Sequence, residues 1–261
     1  MNESKDAVIT VKALKVGYGE KVLLEKLDFE VRRGEVFVIL GGSGCGKSTL
    51  LKHMIGLYQP MAGEIWFGPD NLVAAQGDDR IRILRKFGVM YQSGALFGSL
   101  TVLENVTLPL DEFTDLPAQA KELIALTKLK LVAMETAAGK MPADLSGGMQ
   151  KRAAIARAMA LDPGILFLDE PSAGLDPITS AGLDALIKDL ARTLGCTFVI
   201  VTHELQSIFA VADRVVMLDA KTKGIIGTGR PDELRDHSPN PWVRQFFNRQ
   251  AELPSQTPTT P

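Results

Sequence analysis

The stretch Val36-Phe37-Val38-Ile39-Leu40-Gly41-Gly42-Ser43-Gly44-Cys45-Gly46-Lys47-Ser48 decides the fold. Its five leading apolar residues predict a strand that is buried on both faces of a parallel sheet. The next eight residues match the pattern G-x-x-x-x-G-K-[ST], and a helix is expected from Lys47 to about Tyr58. In this context the loop N–H groups can cradle phosphates, Lys47 can reach the β- and γ-phosphates, and Ser48 can ligate Mg²⁺. The alternative, a glycine-rich turn without a ligand, is disfavoured by the flanking strand and helix.

Two further apolar runs, at 165–168 and 197–201, are separated by a helical pattern, so they predict βαβ units in the same sheet. The first run ends in Asp169 and Glu170. Ligands of open α/β sheets bind at the carboxyl ends of the strands. We therefore expect Asp169 to hold Mg²⁺ and Glu170 to polarise the water that attacks the γ-phosphate.

The rest of the chain suggests two additions to this core. Short alternating apolar segments before Gly34 predict antiparallel strands. The stretch from about Gln92 to Pro142 has a helical pattern, with Pro109 and Pro117 as expected breakers. The predicted fold class is therefore α/β, with a parallel-sheet core, an N-terminal antiparallel subdomain and an inserted helical subdomain at about 93–160. We expect one domain over 1–250, ending in a helix that includes Trp242 and Phe247, and a disordered tail over 251–261.

Composition narrows the functional class. The chain has 261 residues, 46% of them hydrophobic, and a net charge of −2, which disfavours a broad nucleic-acid-binding face. Its two cysteines fit no metal spacing and favour a reducing cytoplasm, with Cys45 expected to be a small neutral filler. No apolar run approaches the ~20 residues that span a bilayer, so association with a membrane is expected to need a partner.

The run Leu145-Ser146-Gly147-Gly148-Met149, hereafter the signature, carries a local contradiction. Ser146 is well placed to cap a helix that continues through Met159. Gly147 and Gly148 in the first turn nevertheless cost about 1 kcal/mol each relative to Ala. Close approach of the backbone to an anion at the helix N-terminus would offset that cost.

These motifs together resemble the ATP-binding-cassette (ABC) ATPases, the nucleotide-binding subunits of membrane transporters. The family's motifs occur in its order: Walker A at Gly41 to Ser48, the Q-loop Gln92, the signature at Leu145 to Met149, Walker B ending at Asp169 and Glu170, the D-loop at Ser172 to Asp176, and the switch histidine His203. The resemblance covers nearly the whole chain.

The resemblance implies that two copies meet head to tail, so that Ser146 and Gly148 of one copy contact ATP held by Lys47 of the other. It implies Glu170, His203 and Gln92 as catalytic residues, and Ser48, Gln92 and Asp169 as Mg²⁺ ligands. The residues that it implies bind ATP are Tyr18, which would stack on adenine, Gly41, Gly42, Ser43, Gly44, Cys45, Gly46, Lys47, Ser48, Thr49, Ser146, Gly147, Gly148 and Asp176. An ordinary turn tyrosine and a structural histidine are the alternatives for Tyr18 and His203.

The cargo rests on a narrower resemblance. The segments 91–97, 103–106, 149–153 and 242–247 are similar to the ATPase of Mla-type, Mce-associated phospholipid transporters, which work between the inner and outer membranes. This implies as partners an integral membrane permease, an Mce-domain lipid-binding protein and a small STAS-domain subunit, with the chain peripheral on the cytoplasmic face of the inner membrane. The alternatives are an ABC ATPase for another cargo, a soluble ABC protein acting on ribosomes or DNA, and a P-loop kinase.

Overall fold

An antiparallel sheet forms the N-terminal part of the structure. The computed structural model describes residues 6–249 of the chain. The sheet has the strand order β2-β1-β4-β5, and its strands are β1 (Ala7–Tyr18), β2 (Lys21–Arg32), β4 (Ala62–Phe67) and β5 (Asp70–Asn71). Ile9 and Val11 of β1 are buried, and after an irregularity at Ala13, with φ of 46°, Leu14 and Val16 are buried as well. The alternation read in the sequence therefore places one face of this sheet on the core.

The second sheet is the core that the opening stretch predicts. Its strand order is β10-β9-β3-β8-β7-β6, with β3 (Val36–Gly41), β6 (Phe87–Met90), β7 (Ile165–Asp169), β8 (Thr197–Val201), β9 (Arg214–Asp219) and β10 (Gly224–Gly229). Five of these strands are parallel, and β10 pairs antiparallel with β9. Because β3 and β7 end side by side across β8, the phosphate loop (Gly41–Ser48) and the pair Asp169–Glu170 leave the same edge of the sheet.

Each face of this sheet packs against a different layer. Val36, Val38 and Leu40 of β3 lie in a cluster with the helical insert and the helices that follow β7. Phe37 and Ile39 point to the opposite side, where they pack with the antiparallel sheet and the first helix. The predicted cause of the continuous apolar run in β3 is therefore confirmed, because both faces of the strand are covered.

Nine α-helices accompany the sheets within residues 6–249. They are α1 (Lys47–Met54), α2 (Gly77–Leu84), α3 (Val102–Phe113), α4 (Ala118–Leu131), α5 (Gly147–Ala158), α6 (Pro177–Leu194), α7 (Leu205–Val211), α8 (Pro231–His237) and α9 (Pro241–Phe247). The first of them ends earlier than the expected Tyr58. Gly56 has φ of 74°, and its N–H bonds to the carbonyl of His53 at 3.0 Å. A left-handed glycine just beyond the last turn stops a helix in this way.

The helical insert consists of α3, α4 and α5, between β6 and β7. The expectation that Pro109 breaks a helix is wrong, because Pro109 lies inside α3. A proline in a helix interior costs about 3 kcal/mol. Three α3 side chains, those of Val102, Val106 and Leu110, are buried in the core, at roughly 1.5–3 kcal/mol each. Their burial, together with a capping box at Thr101 and Glu104, outweighs the cost.

The last two helices within residues 6–249 are α8 and α9, which pack on the core through Leu234, Val243 and Phe247. The terminal helix with Trp242 and Phe247 that the sequence predicts is therefore confirmed. The tail over 251–261, expected to be disordered, lies outside the described residues. Among residues 6–249, no helix combines the length and apolar character needed to cross a membrane.

Gly88 on β6 gives a stability prediction. A Cβ at this position would lie 1.9 Å from the carbonyl oxygen of Ala158, at the end of α5. Since the obstacle is backbone, Gly88→Ala must push β6 and α5 apart and is expected to cost at least about 1–3 kcal/mol. In a domain of this size each kcal/mol lowers the melting temperature by roughly 2–4 °C.

Gly164→Ala is the matched control, because a Cβ there meets no atom within 4 Å. Thermal melts of the two variants beside the wild type measure the difference. Equal melting temperatures for all three proteins would contradict the close contact between β6 and α5.

Candidate nucleotide site

The phosphate loop connects β3 to α1 in a tight turn. Gly46 has φ of 102° in the position that precedes α1, a left-handed conformation that glycine adopts without strain. Lys47 folds back over the loop, and its Nζ donates to the carbonyls of Gly41 at 2.9 Å and Gly42 at 3.3 Å. A cation and the first N–H groups of a helix are thereby brought to one concavity, which is an arrangement suited to anions.

The remaining loop residues line this turn. Ser43 and Gly44 are exposed, whereas Cys45 is buried, with 3% of its surface accessible. Burial raises the pKa of the Cys45 thiol, against the smaller opposing effect of Lys47. The thiol therefore stays neutral and packs in the core cluster beside α1, as a small filler does.

Asp169, at the end of β7, lies next to Ser48, in the first turn of α1. The Ser48 hydroxyl lies 3.4 Å from Oδ1 of Asp169. Burial raises the pKa of Asp169, and the neighbouring charge of Glu170 raises it further. A hydroxyl beside a carboxylate is a pair of hard oxygen donors, and Mg²⁺ in nucleotide sites is held by one or two such groups together with phosphates. The donor set thus fits Mg²⁺.

Glu170 follows Asp169 in a strained conformation. Its φ is 46°, rare for a residue with a side chain. Its N–H donates to the carbonyl of Val201 at 2.8 Å, which fixes the residue to the end of β8. Oε1 lies 2.7 Å from Nδ1 of His203, while Oε2 is buried without a hydrogen-bond partner. Glu170 and His203, both expected to be catalytic, are thereby brought together.

Tyr18 lies at the end of β1, next to the phosphate loop. Its hydroxyl is 3.0 Å from that of Thr49 on α1, and the residue is 46% exposed. The ring of Tyr58 stands edge-on to it, with centroids 5.6 Å apart. The Tyr18 ring is therefore held in one orientation beside the helix that follows the phosphate loop. The packing of Tyr58 against this ring was not suggested by the sequence.

The signature lies at the start of α5, where Ser146 caps the helix by accepting a bond from the N–H of Met149 at 3.3 Å. Ser146 and Gly147 are exposed. Gly148 is buried, and a Cβ there would lie 2.4 Å from Cγ2 of Thr179. Close packing against α6 thus explains why a glycine stands at position 148, which the sequence did not reveal. No contact as close explains the glycine at the exposed position 147. Within residues 6–249 no hydrogen bond joins the signature to the phosphate loop.

Asp176 caps α6, close to the signature. Its carboxylate accepts bonds from the N–H groups of Ile178 and Thr179, both at 3.0 Å. The hydrogen bond from the Thr179 hydroxyl lowers the pKa of Asp176 most, so the carboxylate is charged. The same Thr179 touches Gly148, so Asp176 and the signature form one local unit.

Gln92 follows β6 and is exposed, and its position depends on two cations of α5 that sequence reasoning missed. Nζ of Lys151 donates to the carbonyls of Gln92 and, at 3.2 Å, Glu170. The Arg157 guanidinium donates to the carbonyls of Gly94 and Ala95 at 2.9 and 2.7 Å. The sequence did hold a clue to the burial of Lys151. Gly148, Lys151 and Ile155 lie on one face of α5, and a helical face that carries small or apolar residues usually faces the core.

Comparison with known proteins identifies the family. The ABC transporter family model matches residues 24–173. The chain is 37% identical over 254 residues to the intermembrane phospholipid transport system ATP-binding protein MlaF of Escherichia coli K12, covering 97% of this chain and 93% of that protein. It is 39% identical over 240 residues to the probable ribonucleotide transport ATP-binding protein mkl of Mycobacterium tuberculosis H37Rv, covering 92% of this chain and 66% of that protein.

Solved structures agree with the fold. The protein cbiO1 of Clostridium perfringens, part of the ABC transporter complex cbiONQ, superposes with a TM-score of 0.81 at 29% identity, over 89% of this chain and 92% of that one. The ATP-binding cassette MJ0796, in a dimeric post-hydrolysis state bound to ADP and Pi, gives a TM-score of 0.76 at 31% identity, over 85% of this chain and 98% of that one. The chain therefore belongs to the ABC transporter family, as an ATP-binding and ATP-hydrolysing cassette.

Proposed function

We propose that this cassette works as a pair of identical chains, each of which completes the other's ATP site, and that the pair powers phospholipid transport through a membrane permease. The observation that carries the hydrolytic part is the Glu170–His203 pair at the edge shared by β3 and β7. In this role Glu170 accepts the proton of the attacking water. His203 keeps the carboxylate in place through its contact with Oε1, and it would hydrogen-bond the γ-phosphate.

The other groups bind and orient the nucleotide. Lys47 and the loop N–H groups hold the phosphates, and Tyr18 stacks on adenine. Ser48, Asp169 and Gln92 would hold Mg²⁺, which would neutralise phosphate charge when bound. The Ser48 hydroxyl lies 3.4 Å from Oδ1 of Asp169, so these two donors are already side by side.

The paired arrangement is supported by the exposure of the signature. Ser146 and Gly147 present a helix N-terminus to the outside of the chain, and a partially positive helix end favours a phosphate. In a head-to-tail pair, Ser146, Gly147 and Gly148 of one copy face the γ-phosphate held by the partner copy, and Asp176 supports them. The similar cassette MJ0796 forms dimers, one of them bound to ADP and Pi, which supports the pairing of two chains.

Phospholipid is the favoured cargo because relatives named for intermembrane phospholipid transport match nearly the whole chain. A ribonucleotide is the second candidate, since the relatives named for its transport are 39% identical. The phospholipid assignment carries with it an integral membrane permease, an Mce-domain lipid-binding protein and a small STAS-domain subunit. It also places the chain on the cytoplasmic face of the inner membrane, bound through the permease.

A groove between the P-loop core and the helical insert offers a place for the permease. Leu84, Phe87 and Val89 line it from the core side, and Pro109 and Phe113 line it from α3. The groove is mainly apolar, which suits the apolar face of a short permease helix. Arg157 also lines the groove and donates to the carbonyls of Gly94 and Ala95, so a helix seated here would contact a side chain that holds the loop after Gln92.

Phe113→Glu tests the groove. Phe113 is 39% exposed, and its ring lies 5.2 Å from the guanidinium of Arg85. The substitution therefore replaces an apolar surface with a hydrated carboxylate beside a cation. We expect the variant to lose at least about tenfold in permease binding, because an apolar permease helix would have to strip water from that charge, which costs more than about 1.4 kcal/mol.

Leu194→Glu is the control, because Leu194 is 49% exposed at the end of α6 and does not line the groove. Tagged chains expressed with the permease are purified, and the bound permease is quantified. Normal permease recovery with Phe113→Glu, or equal loss with Leu194→Glu, would contradict docking in this groove.

The cargo is tested by identifying the membrane proteins that co-purify with the tagged chain. A permease with an Mce-domain subunit is the expected result, followed by ATP-dependent movement of fluorescent phospholipid when that complex is placed in vesicles. Recovery of a solute-binding protein, with ATPase activity stimulated by a ribonucleotide and not by lipid, would reject the phospholipid assignment in favour of the second candidate.

A further inference from the structure

Lys151 is the most buried cation whose contacts reach the nucleotide site. Its side chain lies inside the protein, with 6% of the residue exposed. Burying an ammonium group is costly unless its donors are satisfied. Here Nζ donates to the carbonyls of Gln92 and Glu170, and Asp169, Glu170 and Glu204 surround it with negative charge. Burial nevertheless lowers the pKa of Lys151, which reflects how far the group has been removed from water.

The two carbonyls belong to residues with separate duties. Gln92 leads the loop after β6, and Glu170 follows Asp169 after β7. Lys151 itself belongs to neither strand, since it lies on α5 of the helical insert, five residues beyond Ser146. Five residues of α-helix span about 7.5 Å. The same helix therefore carries the exposed signature and the Lys151 ammonium group, which binds the Gln92 and Glu170 carbonyls of its own chain.

The geometry points to Lys151 as a positioning residue. We propose that Lys151 fixes α5 to Gln92 and Glu170, so that engagement of the signature by a second copy sets the Mg²⁺ ligand and the general base of the same chain. The inference rests on the proposed roles of Gln92, Glu170 and Ser146. Ser146 contacts ATP bound to the partner copy, whereas Lys151 positions Gln92 and Glu170 of its own chain. Since both residues lie on α5, Lys151 couples the two ATP sites of the pair.

The strained backbone of Glu170 explains why such a grip matters. With φ at 46°, Glu170 is held by its N–H bond to Val201 on one side and by Lys151 at its carbonyl on the other. Loss of one restraint lets the peptide relax toward an ordinary conformation, which moves the carboxylate away from His203. Displacement of a reacting group by about 1 Å costs on the order of 100-fold in rate.

Lys151→Met is the first variant, since it keeps the length of the side chain and removes the donors. We expect its kcat to fall about 10- to 100-fold while the KM for ATP stays within about threefold, because positioning of the base is lost and the phosphate loop is untouched. The concentration of Mg²⁺ needed for half-maximal activity is expected to rise, since Gln92 loses its anchor. Lys151→Gln, which retains an N–H donor, is expected to recover part of kcat.

Arg152→Met is the matched control. Arg152 is the next residue of α5 and also donates to two carbonyls, but those belong to Val132 and Gly182, outside the site. It is expected to lower the melting temperature at least as much as Lys151→Met and to keep kcat within about threefold of wild type. If Lys151→Met does not fold, the same comparison is made between Lys151→Gln and Arg152→Gln.

Wild-type kcat in Lys151→Met, or equal losses of kcat in the Lys151 and Arg152 variants, would overturn the inference. These outcomes differ from failure of the proposed function. If Glu170→Gln turns over ATP like the wild type, the assignment of the base is wrong. If Glu170→Gln is inactive while the Lys151 variants are fully active, only the positioning role is wrong.

Discussion

Glu170→Gln is expected to bind ATP, to hydrolyse it at least about 100-fold more slowly than the wild type, and to accumulate as an ATP-bound pair of chains. The amide has the shape of the carboxylate and preserves the contact with His203, which is 2.7 Å from Oε1. The amide cannot act as the base that takes the proton of the attacking water. Nucleotide binding survives, because Lys47 and the phosphate loop do not depend on this group, and the paired state persists because it is resolved only by hydrolysis.

Phosphate release and size-exclusion chromatography with and without ATP measure the two parts of this prediction. Glu122→Gln is the control, since that carboxylate is exposed on α4 and neutralising it leaves the site unchanged. Turnover by Glu170→Gln at the wild-type rate would show that another group is the base. A slow variant that stays monomeric in ATP would contradict the pairing.

Ser146→Arg is expected to abolish hydrolysis while each isolated chain still binds ATP. Ser146 is exposed at the first turn of α5, so a long charged side chain there has room within its own chain. It blocks the approach of a second copy to the signature and removes the serine that would face the partner's γ-phosphate. The substitution also removes a helix cap, which by itself costs about 1 kcal/mol of stability.

Thr101→Arg controls for the loss of a cap, because Thr101 caps α3 of the same insert through its bond to the N–H of Glu104. Hydrolysis is expected to stay within about threefold of wild type in that variant, although it loses a similar cap energy. Fluorescent-nucleotide titrations of the monomers measure ATP affinity. Loss of binding in Ser146→Arg monomers would mean that Ser146 acts on its own chain's nucleotide.

Much of this site could be predicted because its parts are encoded locally. The run Val36 to Leu40 is apolar without interruption since both of its faces are covered, and this alone separates the parallel core from the alternating strands of the N-terminal sheet. The carboxylates at 169 and 170 follow a second such run, so their shared edge with the phosphate loop follows from parallel pairing.

What could not be predicted depends on contacts between distant segments. The start of α1 at Lys47 was predicted correctly, but the end of this helix depends on the left-handed Gly56. Likewise, α3 tolerates Pro109 because the helix buries apolar side chains in the core. The reason for Gly148 lies on α6, at Thr179, thirty-one residues away. Lys151 was part of the segment 149–153 in the sequence comparison, and only the structure placed its ammonium group beside the Gln92 and Glu170 carbonyls. No periodicity within a helix reports such partners.

If each copy completes the other's site, Ser146 of one copy faces the phosphate loop of another. Cross-linking measures this with Glu170→Gln chains in which Cys45 and Cys196 are replaced by alanine, one batch carrying Ser43→Cys and the other Ser146→Cys. A short thiol cross-linker is added to the mixed batches, with and without ATP. We expect a product of twice the mass of one chain that forms only with ATP and only in the mixture. If the mixture gives no such product while a single chain carrying both cysteines cross-links within itself, the site is complete in one chain and the proposed pairing is wrong.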